Sequence, residues 1–183
     1  MNGYIVCRFL AVLVAAIIAT VVPRSEAKII KSSEIGFAIE HELMLPVPPM
    51  EAYDAMTGDV SGWWDHSFSE TPVEFYIDPR PGGAFMEIFD KEGNGVLHAT
   101  VTYAHRGKLL RMEGPLGLAG NPFTLVMTFV YERHDGGTLV EFKASAMGEM
   151  EEGWAEAVDG VWHHFLFERL KPYVEAGKHK QRD

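Results

Sequence analysis

Cysteine is almost absent from this chain: the only one, Cys7, lies upstream of an apolar run near the N-terminus. Past that run no disulfide can form, so a folded core there holds by packing alone. The short motifs of several chemistries are missing as well. There is no His-Glu-x-x-His, cysteine pair or calcium loop, and no Gly-x-Ser-x-Gly elbow, phosphate-binding loop or dinucleotide fingerprint. Covalent nucleophilic and phosphoryl-transfer chemistry therefore have no support, and no metal or other cofactor is expected. His163 and His164 do not change this, because neighbours on a helix diverge by about 100° and do not readily share one ion.

Positive charge is scarce. The chain carries 16 Lys and Arg against 26 Asp and Glu. Without the first 27 residues the balance is 14 against 25, a net charge of −11. No basic cluster with interleaved aromatics offsets it, which excludes nucleic acid as a partner and disfavours anionic membrane surfaces. Repeats of 20–50 residues, charge blocks and low-complexity linkers are also lacking, so residues 28–183 read as a single domain.

Long apolar runs are limited to one. Phe9 to Val22 is apolar over 14 residues, follows a short segment with one positive charge, and leads to Ser25-Glu26-Ala27, small residues at both positions a signal peptidase reads. A helix of that run spans about 21 Å, short of the roughly 30 Å hydrocarbon core. Residues 1–27 are read as a cleaved secretory signal rather than an anchor. The domain is then exported, periplasmic or secreted, with no stable membrane insertion after cleavage.

What remains is rich in pattern. Ile35 to Leu45 alternates as a strand, with Phe37, Ile39, His41 and Leu43 on one side. Lys28 to Glu34 reads as a polar lead-in. Pro49 opens a short helix that Gly58 stops, and Val60 to Trp64 predicts a second helical turn. Strands follow at Val73–Ile77, Ala84–Phe89, Val96–His105, Leu109–Glu113, Phe123–His134 and Thr138–Met147. The turns between them carry Gly and Pro, and Gly114 to Pro122 is a loop.

Gly153 to Lys178 is the long helix. Val158, Trp162, Phe165, Leu166 and Tyr173 form its apolar stripe, widened by Trp154, Val161 and Leu170; His164, Glu168, Lys171 and Glu175 face away. The class is α+β: a curved antiparallel sheet of about seven strands packed on a C-terminal helix, with two short helices after strand 1. Such an arrangement tends to leave an apolar space between sheet and helix.

Particular residues sharpen this reading. Trp63-Trp64 follows the first short helices, Gly82-Gly83 opens a strand, and Gly107 to Gly117 reads GKLLRMEGPLG. The ending runs from Trp162 to Leu170-Lys171-Pro172-Tyr173-Val174-Glu175. Over nearly all of residues 28–183 the chain resembles the SRPBCC superfamily, the START-like or helix-grip fold, in its polyketide cyclase/dehydrase-like or heat-shock ATPase activator-like branch. That resemblance implies a cavity between sheet and helix holding a hydrophobic or aromatic small molecule. Some relatives are enzymes, some carriers, and some bind protein partners. The chain departs from the pattern at Pro172, expected to kink the last turns, and in its export signal, which argues against an intracellular co-chaperone role.

The expected apolar lining is Trp63, Trp64, Phe85, Tyr103, Met112, Met127, Phe129, Trp162 and Phe165. Each of these is equally a core residue by type, and a pocket wall is part of the core. Arg169 falls by the helical count about 20° from Trp162, so it either meets a polar ligand group or snorkels to the rim. For acid–base work the strands offer His98, Glu87 and Glu141, and the helix His163; whether any reaches a proton depends on facings the sequence leaves open. The principal reading is reversible binding of a hydrophobic or aromatic small molecule. The alternatives are a cofactor-free cyclase- or dehydratase-like enzyme and a protein-interaction domain; no oligomeric state is implied.

Overall fold

The computed structural model describes residues 28–33 and 35–181; the leader read over residues 1–27 lies outside them. Among the described residues nine strands form one antiparallel sheet: β1 Lys28–Ser33, β2 Gly36–Leu45, β3 Gly58–Asp59, β4 Glu74–Ile77, β5 Ala84–Ile88, β6 Gly95–His105, β7 Leu109–Gly114, β8 Phe123–His134 and β9 Gly137–Gly148. Their order is β1-β2-β9-β8-β7-β6-β5-β4-β3. Seven of the nine are the strands legible from alternation. The count of about seven is corrected by two edge strands: Lys28–Ser33, read as a lead-in, pairs with β2, and Gly58–Asp59 pairs with β4. Both stand at a border of the sheet, and Gly58–Asp59 is only two exposed residues, too short for alternation to register.

The longest strands show why the sheet has one covered face. Phe37, Ile39, His41, Leu43 and Leu45 of β2 are buried, as are Phe123, Leu125, Met127, Phe129 and Tyr131 of β8 and Val140, Phe142, Ala144 and Ala146 of β9. Each large apolar side chain so removed from water stabilises the fold by about 1.5–3 kcal/mol. β8 and β9 meet through Asp135-Gly136, with His134 paired to Gly137. Gly136 has φ +88°, the left-handed conformation that a two-residue hairpin turn needs.

Helix α1, Pro49–Met56, begins on its proline and buries Ala52, Tyr53, Ala55 and Met56. The second helix expected at Val60–Trp64 is only one turn, closed by the Trp64 amide donating to the Val60 carbonyl at 2.8 Å. The cover of the sheet is a helix in three consecutive parts: α2 Trp154–His163, a π-helical segment His164–Leu170, and α3 Lys171–Glu175. The backbone stays right-handed helical through both joins. The Lys171 amide donates to the Leu166 carbonyl, five residues back. Pro172, expected to kink the last turns, is the second residue of α3, which continues past it to Glu175. Its missing N–H removes one backbone bond from the continuous helix, and the wider π turns lie immediately before it. Trp162, Phe165, Leu166, Leu170 and Tyr173 are buried against the sheet. Among the described residues no helix is long and apolar enough to cross a membrane.

Candidate functional site

A cavity of about 380 Å³ opens between the helix, the sheet and two loops. The helix contributes Val158, Val161, Trp162 and Phe165; the segment after the Val60 turn contributes Trp64, His66, Ser67 and Phe68. Pro115 to Leu118 close another side, and His98 of β6 and Leu125 of β8 supply the sheet wall. That volume suits one small organic molecule. The wall is aromatic and rigid: Trp64 stacks on Phe165 at 3.8 Å between ring centres and meets Trp162 edge-on at 5.8 Å. Trp64 is itself fixed by its indole N–H donating to the His66 carbonyl at 2.7 Å. Leu116 adopts φ +51°. A leucine there is strained, and its place in the cavity wall is where such strain is commonly kept.

Behind the wall, His98 has a buried partner. Glu87 of β5 is fully inaccessible and His98 is 2% exposed. Glu87 Oε2 lies 3.1 Å from His98 Nε2 and accepts the Phe68 amide at 3.0 Å, while Oε1 accepts the Ser69 amide at 2.8 Å. A carboxylate taken out of water needs such partners. Three phenylalanine rings surround the imidazole: Phe85 at 5.0 Å, Phe75 at 5.3 Å and Phe68 at 5.7 Å. Burial lowers the His98 pKa and outweighs Glu87, which raises it. His98 Nδ1 is buried and has no hydrogen-bond partner.

His98 reaches this position through a bulge. Phe85 pairs with Ala99 and Met86 with Leu97, so His98 is the extra residue of β6 and is buried alongside Ala99. Plain alternation leaves its facing open; the inserted residue decides it. A second bulge acts oppositely on Tyr103. Val101 pairs with Met112 and Tyr103 with Arg111, so Thr102 is extra. Tyr103 is turned outward, 45% exposed, away from the lining where the sequence reading put it.

Of the other expected lining residues, Trp64, Trp162 and Phe165 are in the cavity wall. Trp63, Phe85, Met112, Met127 and Phe129 are buried in the core behind it. Glu141 is exposed on the outer face of β9, with no access to the cavity. Sequence reasoning missed the loop contribution: Leu116 and Leu118 sit in a stretch read only as Gly- and Pro-rich, and two leucines in such a loop were the available signal. Phe68 and His66 were missed for the same reason, as they lie between recognisable elements.

Arg169 is at the rim. Its Nε lies 3.2 Å from Asp65 Oδ2 and 3.4 Å from the Trp63 carbonyl. Bonds from i to i−5 put more residues in each turn, so each residue advances less than about 100° and Arg169 is carried off the stripe. Around it Asp65 Oδ1 is 2.9 Å from His66 Nδ1 and 3.0 Å from His164 Nε2, and His164 Nδ1 is 2.9 Å from Glu168 Oε2. Asp65, His66 and His164 offer ligand atoms within 4.8 Å of one another. These groups already satisfy one another, with Arg169 on the carboxylate, and together clasp the helix to the 61–66 segment. Hydrogen bonds donated by the His164 ring to the Glu168 and Asp65 carboxylates raise its pKa.

His41 of β2 makes the other buried imidazole contact. Its Nε2 is 3.1 Å from Asp159 Oδ1 on α2, near enough for an ion pair but without hydrogen-bond geometry. Burial lowers its pKa first, opposed by Asp159 and reinforced by His163. Both buried histidines thus bind protons more readily when unfolded. Their contribution to stability is complete above pH about 6.5 and is lost as pH falls from there toward the depressed folded values, by at most about 1.4 kcal/mol per pH unit for each group. His164 works in the other direction, but on the surface, where it counts for less. We expect the thermal midpoint to be lower at pH 5.5 than at pH 7.5 and the difference to shrink in His41→Gln; a flat profile between those values would contradict this reading (thermal scans at constant ionic strength).

No protein-family model matches the sequence, and no curated protein is significantly similar to it. Solved structures do share its fold. A protein of Mesorhizobium loti superposes with a TM-score of 0.59 at 18% identity, covering 76% of this chain and 97% of that one. A protein of Rhodobacter sphaeroides gives 0.55 at 16% identity, covering 82% and 99%. CalU16 of Micromonospora echinospora gives 0.51 at 17% identity, covering 80% and 82%. At these identities the likeness concerns the fold alone.

Proposed function

We propose that this chain is a helix-grip domain that binds one hydrophobic or aromatic small molecule between its sheet and its terminal helix. The observation that carries the reading is the cavity: about 380 Å³, walled by Trp64, Leu116, Leu125, Val158, Trp162 and Phe165. A space of that size lined by stacked aromatics favours a flat apolar ligand, because burying its surface is the main gain and the walls need not rearrange. The apolar run Phe9 to Val22 supports placing the domain outside the cytoplasm. The net charge supports a neutral ligand over a nucleic acid or a membrane surface.

The test is direct. Naphthalene titrated into the protein is expected to quench or shift tryptophan fluorescence saturably, since Trp64 and Trp162 are in the wall. Val158→Trp, which fills the space from the helix side, is expected to abolish that response while leaving the far-UV spectrum unchanged. An unsaturable response, or one that Val158→Trp leaves intact, would sink the cavity reading.

A second reading, a cofactor-free catalyst, is favoured by one observation, the Glu87–His98 pair at the wall. Buried acid–base pairs in clefts are where proton-transfer chemistry is found. Turnover of a carbonyl substrate that His98→Phe removes without loss of binding would select this reading over simple carriage.

A further inference from the structure

At the rim, Asp65 and His66 meet His164, which follows Asp65 by 99 positions. The ring hydrogens of this cluster do not come out even. His164 faces a carboxylate through each of its nitrogens: Nδ1 is 2.9 Å from Glu168 Oε2, and Nε2 is 3.0 Å from both oxygens of Asp65. His66 Nδ1 approaches the same Asp65 at 2.9 Å. An ionised carboxylate only accepts, so each of these nitrogens must present a hydrogen or give its lone pair to a cation. A neutral imidazole has a single ring hydrogen, and His164 is asked for two.

A cation between Asp65, His66 and His164 resolves the count. His164 Nδ1 then gives its hydrogen to Glu168 and Nε2 gives its lone pair to the ion, the orientation that a carboxylate ordinarily imposes on a metal-bound histidine. The spacing agrees, because donors about 2.0–2.2 Å from one ion stand roughly 3 Å apart when at right angles. Arg169 pairs with Asp65 Oδ2 at 3.2 Å, which leaves Oδ1, the oxygen both imidazoles meet, for the ion. The side chains of Asp65, His66 and His164 are 34%, 56% and 30% exposed, so an ion reaches them from solvent.

We infer that Asp65, His66 and His164 form a binding site for a divalent transition-metal ion, with Glu168 as the positioning residue of His164. Two imidazole nitrogens and one carboxylate oxygen suit zinc, copper or nickel, whereas calcium and magnesium take oxygen donors. Three protein ligands leave a coordination position for water or for an oxygen of another molecule. The sequence expectation of no metal weighed His163 with His164; the fold brings His66 to His164 instead. The inference goes beyond the small-molecule reading and stands or falls separately from it.

The experiment is calorimetric titration of zinc chloride into the protein prepared without a polyhistidine tag. One saturable site is expected. Asp65→Asn and His164→Gln are expected to weaken it by at least about a hundredfold, Glu168→Ala by about 10–100-fold, and Glu168→Gln, which still accepts the Nδ1 hydrogen, by less. His134→Gln, at an exposed histidine of β8, is expected to leave it unchanged. The second readout is the electron paramagnetic resonance spectrum of the protein with copper(II), a signal that a merely structural contact does not give. Nitrogen splitting from two imidazoles is expected, and from one in His164→Gln. Absent or unsaturable zinc binding overturns the inference. Zinc affinity that survives both Asp65→Asn and His164→Gln, or that His134→Gln lowers equally, identifies an adventitious ion only and overturns it as well. So does a copper spectrum that His164→Gln leaves unchanged.

Discussion

Glu87→Ala is expected to lower unfolding free energy by about 3–5 kcal/mol, because three buried donors lose their acceptor at roughly 1–3 kcal/mol each, less what local relaxation recovers. Its carboxylate ties three things together: the imidazole of His98 on β6 and the Phe68 and Ser69 amides of the loop that walls the cavity. Truncation leaves all three donors without their acceptor and opens a void between β5 and the loop. For a domain of this size that corresponds to a fall in thermal midpoint of roughly 6–20 °C. The double variant Glu87→Leu, His98→Phe is expected to be more stable than Glu87→Ala, because it removes the unpaired imidazole N–H while refilling the space. It does not return to the parent, since the two amides still lack a partner. Urea unfolding of the three proteins measures this; a loss under 1 kcal/mol in Glu87→Ala would show that water replaces the carboxylate at no great cost.

Trp162→Ala is the second large effect, at about 3–5 kcal/mol. The indole joins the two layers: it lies 4.3 Å from Phe142, 5.8 Å from Phe129 and from Trp64, and 5.9 Å from Phe165, measured between ring centres. Its removal deletes contacts to β8, β9 and the Trp64 segment at once, so no single neighbour can relax into the gap. Trp162 also forms part of the cavity wall. Naphthalene is therefore expected to raise the midpoint of Trp162→Ala more than that of the parent, by occupying the enlarged space. Calorimetry with and without the probe gives both numbers. A variant as stable as the parent would mean that Trp162 does not bridge helix and sheet.

These expectations rest partly on what alternation and helical periodicity already state and partly on what they do not. Phe37, Ile39, His41 and Leu43 share a face by period two, and that face is buried. Trp162, Phe165 and Leu166 share a stripe by period 3.6, and that stripe meets the sheet. Three departures occur where a regular count is interrupted. The bulge at His98 turns it inward, the bulge at Thr102 turns Tyr103 outward, and the π segment rotates Arg169 to the rim. An insertion of this kind leaves composition unchanged and depends on the partner strand or on the next turn, so one strand read alone does not reveal it. The cavity's loop walls were hidden for a different reason. Leu116 and Phe68 are placed by contacts distant in sequence, and no local period marks them.

The strand order has a consequence for how the molecule comes to exist. From β3 to β9 every strand lies beside its neighbour in the chain, so that part of the sheet can zip up through short closures. β2 instead pairs with β9 over ten residues, from Gly36 with Met147 to Leu45 with Thr138, roughly a hundred positions apart. The loop entropy of that joining must be met before its contacts are gained. The last wall to arrive is thus the one carrying Phe37, Ile39, His41 and Leu43, and until it docks, the flank of β9 is an open hydrogen-bonding edge. The time this edge stays open, more than the stability of the finished sheet, sets the chain's exposure to intermolecular strand pairing.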